Sequence, residues 1–326
     1  MRRAPLTLVS ATGTLTLDPM IKTAASSHLY DYDLQTDGKV LTVTPKALFT
    51  RKAASFGANE KSVAGSLQSL FDGGATADKA FTRLLSVADD ASYKSALGAI
   101  SGKVLGSFGS FRFNSSRTFA ANLYGGCNEL QFQGKSADRC GWARVLGNTT
   151  TQKAGADMLG YKADAWAMQM GGQVPFSDTL ALTGSLAYEN STFRDGDARI
   201  KGDALVAGLG LLYAPERFEL SAGIDMAWGW YKSRRTIELG GISEEATAKP
   251  EQSQIGGHVR AAYNLLDGGS TFVRPFVEGH AIRVSNKAFT EDGASPFRLA
   301  VEKQSDTALI GVAGLEVGTK VALSEK

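Results

Sequence analysis

The second half of the chain alternates large and small side chains with a period of two, and this pattern most constrains its fold. In residues 218–231, FELSAGIDMAWGWY, the positions from Phe218 to Trp230 with even numbers are mostly large and apolar, and the odd positions are small or acidic. A period of two predicts a β-strand with two different faces. Similar segments lie near residues 142–147, 163–173, 180–188, 204–213, 255–263, 272–284 and 305–317, which makes about eight predicted strands.

The composition of the two strand faces indicates which of them contacts the protein interior. The outward face of a soluble sandwich carries many Lys, Glu and Thr side chains, whereas the smaller face here carries Gly, Ala, Ser and isolated charges. Segments of about ten residues, apolar outside and polar inside with aromatic girdles, are typical of outer-membrane β-barrels. The predicted membrane-interface aromatic residues are Tyr188, Tyr213, Trp228, Trp230 and Tyr263.

The predicted connections also alternate in length, as they do in such barrels. Residues 175–178 and 214–217 read as tight turns, and residues 191–202, 234–254 and 286–296 read as long polar loops. The inner face then places eight polar side chains in the lumen: Arg144, Gln169, Glu219, Asp225, Arg260, Arg274, Glu278 and His280. Three roles compete for these side chains. They could form a polar track, assist cleavage of the chain inside the barrel, or only fill the lumen with cross-strand ion pairs. The last role is favoured.

Composition excludes several classes of protein. With 43% hydrophobic and 21% charged residues, the chain is not a disordered one. Its net charge of +2 and the lack of a Lys/Arg run predict no nucleic-acid partner. No apolar run is long enough for a transmembrane helix. The N-terminus has no apolar core typical of a signal peptide, so we expect an exported protein to extend beyond this chain.

Residues 6–125 show other patterns of apolar side chains than the period of two in the second half of the chain. Residues 6–44 read as short strands with a hairpin at Asp37–Gly38, and residues 46–59 read as a polar linker. From residue 59 to residue 100, apolar side chains recur at spacings of three and four, which predicts helices with breaks at Gly73–Gly74 and Asp89–Asp90. A further helix over 103–125 has polar and small residues on most faces, which suits a hydrated, confined place.

Cys127 and Cys140 are the two cysteines of the chain, and three interpretations compete for them. A structural zinc site needs four ligands, and the three histidines lie far away in sequence. A redox pair is typically C-x-x-C. The remaining interpretation, a disulfide that stabilises the fold by about 3 kcal/mol, is favoured and fits an oxidising compartment. We therefore expect no metal.

Several motifs, in order along the chain, resemble those of type V autotransporters. Asn59, Val63, Ala64 and Leu67 match the N-x-x-x-V-A-x-x-L pattern of the family's helical linker. The linker's closing L-x-x-I/L-S-G-E pattern appears at residues 97–103, with Lys103 in place of the usual Glu, so any role of that acid does not carry over. GWARVLG (141–147), YKADAWAMQMGGQVPF (161–176) and STFVRPFVEGHAIRV (270–284) are similar to strands of the family's translocator β-domain.

This resemblance implies a mainly β fold, an antiparallel transmembrane barrel with twelve strands in the family, of which about eight are present here. It implies the end of a β-helical passenger at 1–46, a helical linker at 47–103, a pore helix at 104–126 and a partial barrel at 127–326. The family's last strand ends in an aromatic residue that the barrel-assembly machinery reads. We therefore expect the chain to be incomplete at both ends and unable to form a functional barrel alone.

The function implied is that of an outer-membrane translocator in a Gram-negative bacterium, which anchors its passenger and secretes it to the cell surface. Its expected partners are outer-membrane lipid, its own passenger, periplasmic chaperones and the barrel-assembly machinery. No nucleophile motif is present, so we expect no enzyme, no catalytic residues and no cofactor. Another outer-membrane barrel (a porin or an adhesin) and a soluble β-sandwich binding protein remain alternatives.

Overall fold

A computed structural model of the chain describes residues 5–18, 27–74, 78–125, 127, 139–153, 160–196, 198–239, 241–265 and 271–319. The helices are α1 (Phe49–Lys52), α2 (Ala58–Asp72), α3 (Asp78–Leu84), α4 (Asp90–Ile100) and α5 (Lys103–Gly125). The first strands are β1 (Leu6–Ser10), β2 (Tyr30–Thr36) and β3 (Val40–Ala47). The later strands are β4 (Cys140–Gln152), β5 (Tyr161–Pro175), β6 (Leu180–Asp195), β7 (Ala198–Tyr213), β8 (Phe218–Leu239), β9 (Ile242–Ala248), β10 (Glu251–Tyr263), β11 (Thr271–Asn286), β12 (Phe289–Thr290), β13 (Asp292–Gly293), β14 (Ala300–Val301) and β15 (Gln304–Thr319).

Eight long antiparallel strands form the main sheet, in the order β15-β11-β10-β8-β7-β6-β5-β4. Each of them contains one of the eight segments that the period-two pattern predicts, so the predicted strand set is confirmed. The sheet curls around α5, which contacts β5, β6, β7, β8, β10 and β11. Within the described residues, β4 and β15 are the two edges of this sheet and do not pair with each other.

Two of the three predictions of long polar loops are wrong, because the structure has strands in their place. In place of a loop over 191–202, β6 and β7 continue to a tight turn at Gly196, whose φ is +55°. In place of a loop over 234–254, β8 runs to Leu239 and pairs with β9 as a hairpin. The alternation persists in these extensions, with Ile200 and Ile237 buried, but their outward residues become polar. The strands therefore extend beyond the apolar part of the sheet.

The N-terminal strands form a separate antiparallel sheet in the order β1-β3-β2. Its β2–β3 hairpin turns at Gly38, which has φ +91°, and the Asp37 carboxylate accepts hydrogen bonds from the backbone N–H of Lys39 and Val40. The coils of a β-helix stack their strands in parallel. The described strands therefore do not form a β-helix coil, and the assignment of 1–46 to the end of a passenger stays a prediction.

The predicted helices and their breaks are confirmed between residues 58 and 100. Helix α2 ends at Asp72, directly before the predicted glycine pair, and α4 begins after Asp89, whose side chain caps it by accepting from the Ser92 N–H at 2.7 Å. The linker predicted as polar contains α1, in which Phe49 is fully buried. Phe49 packs against Tyr30 and Phe71. The burial of this one aromatic side chain brings the short segment into the core, although its other residues are mostly polar or small.

One hydrophobic core joins these helices to the extended end of the main sheet. It contains Phe49, Phe71 and Leu97 from the helices, together with Ile237 of β8 and Phe297 beyond β13. Polar contacts reinforce the same junction, since Arg83 of α3 pairs with Glu244 of β9 at 2.8 Å. The helical region therefore sits on the rim that β8 and β9 form. Within the described ranges, no helix is both long enough and apolar enough to cross a membrane.

The convex face of the main sheet is apolar over a limited height. Its exposed side chains include Leu209 (57%), Ile224 (55%) and Val277 (57%), none of which is covered by another element. Exposed aromatic residues border this band on both sides. One row lies at the short turns and the other beside the polar extensions: Phe176, Tyr213, Phe218 and Tyr263 in the first, and Trp166, Tyr188, Trp228 and Trp230 in the second.

Candidate functional site

The candidate site is the concave face of the main sheet, together with helix α5, which lies against it. Glycines of the inner wall make room for large side chains of the helix. A Cβ at Gly208 would lie 2.6 Å from the Phe119 ring, and a Cβ at Gly210 would lie 2.6 Å from the Tyr124 ring. Any other residue at these positions would therefore require the helix or the facing ring to move away from the wall.

Arg112 fastens the first half of α5 to the wall. It is one of the largest fully buried side chains, with 1% exposure. Its guanidinium Nη2 donates to Glu189 Oε1 at 2.8 Å and to the Tyr231 hydroxyl at 2.7 Å, and its Nε contacts Gln252 Oε1 at 3.4 Å. These three partners belong to β6, β8 and β10. A single side chain therefore connects the helix to three strands by charge-assisted and neutral hydrogen bonds.

The second half of α5 is fastened to β4 and β5. Asn122 donates to Gln169 Oε1 at 2.9 Å and accepts from Arg144 Nη1 at 3.0 Å. Gln169 is buried and also donates to Ser185 Oγ at 3.0 Å. The Arg144 guanidinium lies 5.4 Å from the centre of the Trp142 ring. The structure thus places the predicted lumen residues Arg144 and Gln169 against the helix.

Asp225 lies at the centre of a buried polar cluster. Its carboxylate accepts from Ser116 Oγ of α5 at 3.1 and 3.2 Å, and contacts the Gln254 amide and His258 Nε2. His258 Nδ1 is 2.8 Å from His280 Nδ1, and His280 Nε2 is 3.3 Å from Glu278 Oε2. The two histidines, which are distant in sequence, are therefore direct neighbours on β10 and β11.

A second network fills the side of the lumen near the short turns. Arg260 pairs with Glu278 at 3.1 Å, with Glu316 at 2.6 Å and with Glu219 at 3.5 Å. Arg274 donates to Asn264 at 2.6 Å and pairs with Glu316 at 3.3 Å. Each guanidinium also lies over a phenylalanine ring of β11. Such cross-strand pairs place each of these charges next to an opposite one.

The five predicted interface aromatics all lie on the convex face, with exposures between 40% and 51%. Tyr213 and Tyr263 end their strands, as expected. Tyr188, Trp228 and Trp230 lie inside theirs, because β6 and β8 continue past the apolar band. The aromatic rows follow the edges of the band, and their role at a membrane interface remains a prediction.

Cys127 and Cys140 form a disulfide, with their Cα atoms 5.9 Å apart. Cys127 follows the end of α5, and Cys140 is the first residue of β4. The bond therefore joins the end of the helix to the first strand of the wall. Among the residues that the structure describes, no group of three or more His, Cys, Asp or Glu side chains is arranged to hold a metal ion.

The Asp225 cluster does not have the geometry of a nucleophilic triad. In a triad the base contacts the nucleophile through one ring nitrogen and the acid through the other. Here Ser116 Oγ, at 3.4 Å, and the Asp225 carboxylate approach the same nitrogen of His258, its Nε2. The other nitrogen faces His280. The cluster is suited to holding the helix and a proton.

Sequence reasoning missed the wall residues that bind the helix most directly. Glu189, Tyr231 and His258 lie on the inner face by parity, but they carry no local motif. Arg112 lacks an acidic neighbour in sequence, since its partners are 77 and 119 residues away. A signal was present in the helix itself, where Arg112 lies between Phe111 and Phe113, because an arginine buried with such apolar neighbours requires an acceptor.

The chain matches the family profile described as "Autotransporter beta-domain" over residues 141–326. Among solved structures, it is similar to the translocator domain of autotransporter NalP from Neisseria meningitidis, with 15% identity and a TM-score of 0.53 over 65% of this chain and 71% of that one. It is also similar to the beta domain of the Bordetella autotransporter BrkA, with 20% identity and a TM-score of 0.46 over 57% of this chain and 72% of that one. No curated protein matches its sequence.

Proposed function

Because this chain belongs to the autotransporter β-domain family, we propose that its curved sheet and α5 act together as the pore of an outer-membrane translocator. The translocator anchors the protein in the Gram-negative outer membrane and secretes its own N-terminal passenger to the cell surface. Strands of the region 127–326 form the wall, and the helix of the region 104–126 occupies the lumen after transport.

One observation carries this proposal: the sheet is apolar on the outside and polar on the inside, and a polar helix is fastened within it. Arg112 and Asp225 are fully buried beneath the concave face, whereas Leu209 and Ile224 are exposed on the convex face. A soluble fold would reverse this arrangement, because burial of apolar area is its main source of stability. A lipid environment explains both faces at once.

The remaining regions take roles that follow from this position. We assign residues 1–46 to the end of the passenger and residues 47–103 to the linker that follows it through the pore. The linker helices pack on β8 and β9 at the rim with the longer strand extensions, and we assign that rim to the cell surface. The buried polar residues of the lumen hold the helix, and we assign them no enzymatic activity.

Insertion of such a sheet requires help. Edge strands with unpaired backbone groups are unstable in lipid and prone to aggregate in water. We therefore propose periplasmic chaperones and the barrel-assembly machinery as partners during assembly. The alternative of a soluble β-sandwich is disfavoured by the exposed apolar band, and a porin is disfavoured by the helix inside the lumen.

Protease treatment of intact cells tests the secretion function. The complete protein, with an epitope tag in its passenger, is expressed in a Gram-negative host, and the matched control lacks residues 127–326. We expect external protease to remove the epitope from cells with the complete protein only, while the sheet stays in the outer-membrane fraction. An epitope protected inside cells, with the sheet correctly inserted, would contradict the proposal.

Conductance in planar bilayers separates the translocator from a porin. A lumen filled by α5 should conduct little, and removal of residues 104–126 should raise the conductance severalfold. A large conductance in the complete protein, unchanged by this deletion, would favour the porin. Recovery of the protein in the aqueous phase without detergent would instead favour the soluble sandwich.

A further inference from the structure

The contacts of His258 and His280 determine how many protons the two rings can hold. Ionised carboxylates only accept hydrogen bonds. His258 Nε2 contacts Asp225, and His280 Nε2 lies 3.3 Å from Glu278 Oε2, so each Nε2 carries its proton toward a carboxylate. The two Nδ1 atoms are then left facing each other at 2.8 Å.

This distance is that of an N–H···N hydrogen bond, which needs a single proton between the two nitrogens. Without a proton, two lone pairs would face each other. With two protons, both N–H groups would point into the same space. One proton satisfies both rings, and one ring of the pair is then an imidazolium.

The charges around the pair are consistent with this single proton. Asp225 of β8 and Glu278 of β11 contribute two negative charges next to the rings. Arg117 of α5 is close enough to His280 to interact with it electrostatically, and contributes one positive charge. One imidazolium makes the cluster neutral, which is favourable for groups held away from bulk water.

The remaining groups that face the pair do not change this balance. Helix α5 contributes the Ser116 hydroxyl and the Tyr124 hydroxyl, which lies 3.5 Å from the His258 carbonyl oxygen. Strand β10 contributes the Gln254 amide and, farther along, Arg260, which pairs with Glu278, Glu219 and Glu316. Glu316 also pairs with Arg274. When this network is counted with the cluster, four carboxylates face three guanidinium groups, so one imidazolium again makes the total charge zero. Strand β15 presents aliphatic Ile310 and Val312 opposite His280 and Glu278.

We propose that His258 and His280 share one proton between their Nδ1 atoms and form an acid-sensitive latch that holds the pore helix. A second proton, which arrives when the lumen is acidified, places N–H against N–H and separates the rings. Because His258 and Ser116 contact the same Asp225 carboxylate, movement of His258 weakens the contact between α5 and the wall. The latch therefore holds at neutral pH and releases in acid.

Nitrogen NMR of the chain labelled with [15N]histidine tests the shared proton directly. The chain contains three histidines, so single replacements assign every ring, and His28, which contacts Asp90, is an internal reference. We expect a nitrogen–nitrogen coupling between the two Nδ1 atoms at pH 7 and its loss near pH 5. Two neutral rings without this coupling would overturn the proposal. So would a shift of both rings on addition of Zn²⁺, which would show a metal site in place of the proton.

Hydrogen exchange of α5 tests the latch. We expect the protection factors of the helix to fall about tenfold between pH 7 and pH 5, the effect of one added proton over the range in which histidine titrates. His280→Asn keeps an acceptor for the His258 Nδ1–H but removes the ring that takes the second proton, so its protection should not fall between pH 7 and pH 5. His258→Asn serves if the first variant does not fold. Equal pH dependence in the variant and the parent chain would refute the latch.

The latch rests on the proposed place of α5 in the lumen, but it is tested separately from secretion. The NMR experiment reports on two rings alone. A failed latch with normal surface exposure of the passenger therefore leaves the translocator function intact, and the reverse result rejects the translocator without affecting the histidine pair.

Discussion

Arg112 shows how much a single residue can contribute inside the lumen. Its guanidinium is buried between three strands, and its partner Glu189 is buried with it, at 9% side-chain exposure. A buried pair of this kind is not strongly stabilising as a whole, because both ions lose water. Removal of one partner is costly, because the other charge is then left buried without compensation. The residue thus makes the position of the helix specific.

Arg112→Met should lower the free energy of unfolding by about 3–5 kcal/mol, because Glu189 loses its charged partner. The double variant Arg112→Met/Glu189→Gln should recover part of this loss. Arg194→Met is the matched control, since Arg194 pairs with Asp164 at 2.7 Å on the exposed face, where about 0–1 kcal/mol is expected. Urea unfolding followed by tryptophan fluorescence measures all three. Equal losses for Arg112 and Arg194 would contradict the role of Arg112.

Replacement of both Cys127 and Cys140 by Ser should lower the free energy of unfolding by about 3 kcal/mol, the chain-entropy effect of a loop of this length. Reduction of the parent chain should produce the same loss, and reductant should not affect the double variant. Secretion should be unchanged. The loss of a bound metal with the cysteines would show that the pair has another role.

At the scale of residues, the sequence predicts which face a side chain occupies but not its partner. The parity of β8 is enough to assign Asp225 to the inner face. Its neighbour His258 lies 33 residues away, on a strand whose register with β8 is set by the whole hydrogen-bond ladder. A shift of one residue would place His258 on the lipid face. Contacts between strands therefore depend on register, which local patterns do not contain.

At the scale of elements, α5 and the inner wall are complementary in shape. Gly208 and Gly210 of β7 lie beneath the aromatic residues Phe119 and Tyr124, and Gly223 of β8 lies beneath the Tyr124 hydroxyl. The helix has polar residues on most of its faces, so a continuous apolar stripe does not hold it. Close approach at these glycines, together with the polar contacts of Arg112, Ser116 and Asn122, determines its position.

Gly208→Ala should destabilise the protein by about 1–3 kcal/mol, because the new methyl group would overlap the Phe119 ring and the Ile224 carbonyl oxygen. Gly311→Ala on β15 is the matched control, since its Cβ would meet no atom within 4 Å. It also corrects for the general effect of Gly→Ala on strand formation. Hydrogen exchange should show faster exchange of α5 in Gly208→Ala only. Similar stabilities of the two variants would argue against close seating of the helix.

The start of α4 provides a pH-dependent element outside the lumen. The backbone N–H of Ser92 lowers the pKa of the Asp89 carboxyl group by donating a hydrogen bond to it. Because the folded pKa lies below the unfolded one, this cap stabilises α4 at pH values above the unfolded pKa, and the stabilisation is lost as the pH falls through the folded pKa.

Asp89→Asn should therefore keep a cap and remove this part of the pH dependence, whereas Asp89→Ala should weaken α4 at neutral pH. Thermal unfolding of the three proteins between pH 7 and pH 3 measures the effect. If the parent chain and Asp89→Asn lose stability equally in acid, the cap does not contribute to the pH dependence.

Helices and strands were predictable where a single face determined the pattern. The helices between residues 58 and 100 and all eight long strands follow from periodicity. The extensions of β6, β7 and β8 were not, because their outward residues change from apolar to polar while large apolar residues such as Phe193, Ile200 and Ile237 appear on the inward face. The change of the outward residues from apolar to polar marks the end of the membrane contact. It does not mark the end of the strand, although the apolar alternation of the sequence ends there.

At the scale of the whole molecule, two rows of aromatic residues define a slab. Along β8, Phe218 lies in one row and Trp228 in the other. Ten residues of a strand tilted by about 45° span roughly 25 Å, the height of the apolar band of an outer-membrane barrel. Beyond Trp230 the outward residues Lys232 and Arg234 are charged. Strand β9, which pairs with this part of β8, contacts the helical region through Glu244 and Ala246. The molecule is thus divided into a membrane wall and a rim assembly.

This division predicts a dependence on depth that a soluble fold would not show. Leu209 lies midway along the outward apolar part of β7 and is 57% exposed, and Leu205 pairs with Tyr188 and Trp228 at the level of the second aromatic row. Leu209→Arg should cost about 2–4 kcal/mol in lipid vesicles, and Leu205→Arg about 0–1 kcal/mol, because the charge reaches the interface only from the second position.

The measurement is the free energy of unfolding in vesicles and, as a control, in detergent micelles, whose interior adapts more easily to a charge. The difference between the two variants should be largest in vesicles. Both positions are exposed to similar extents, at 57% and 51%, so a soluble sandwich would tolerate both arginines equally. Equal costs in vesicles would therefore place the apolar band outside the membrane, and a larger cost at Leu205 would require the membrane to be centred higher on the strands.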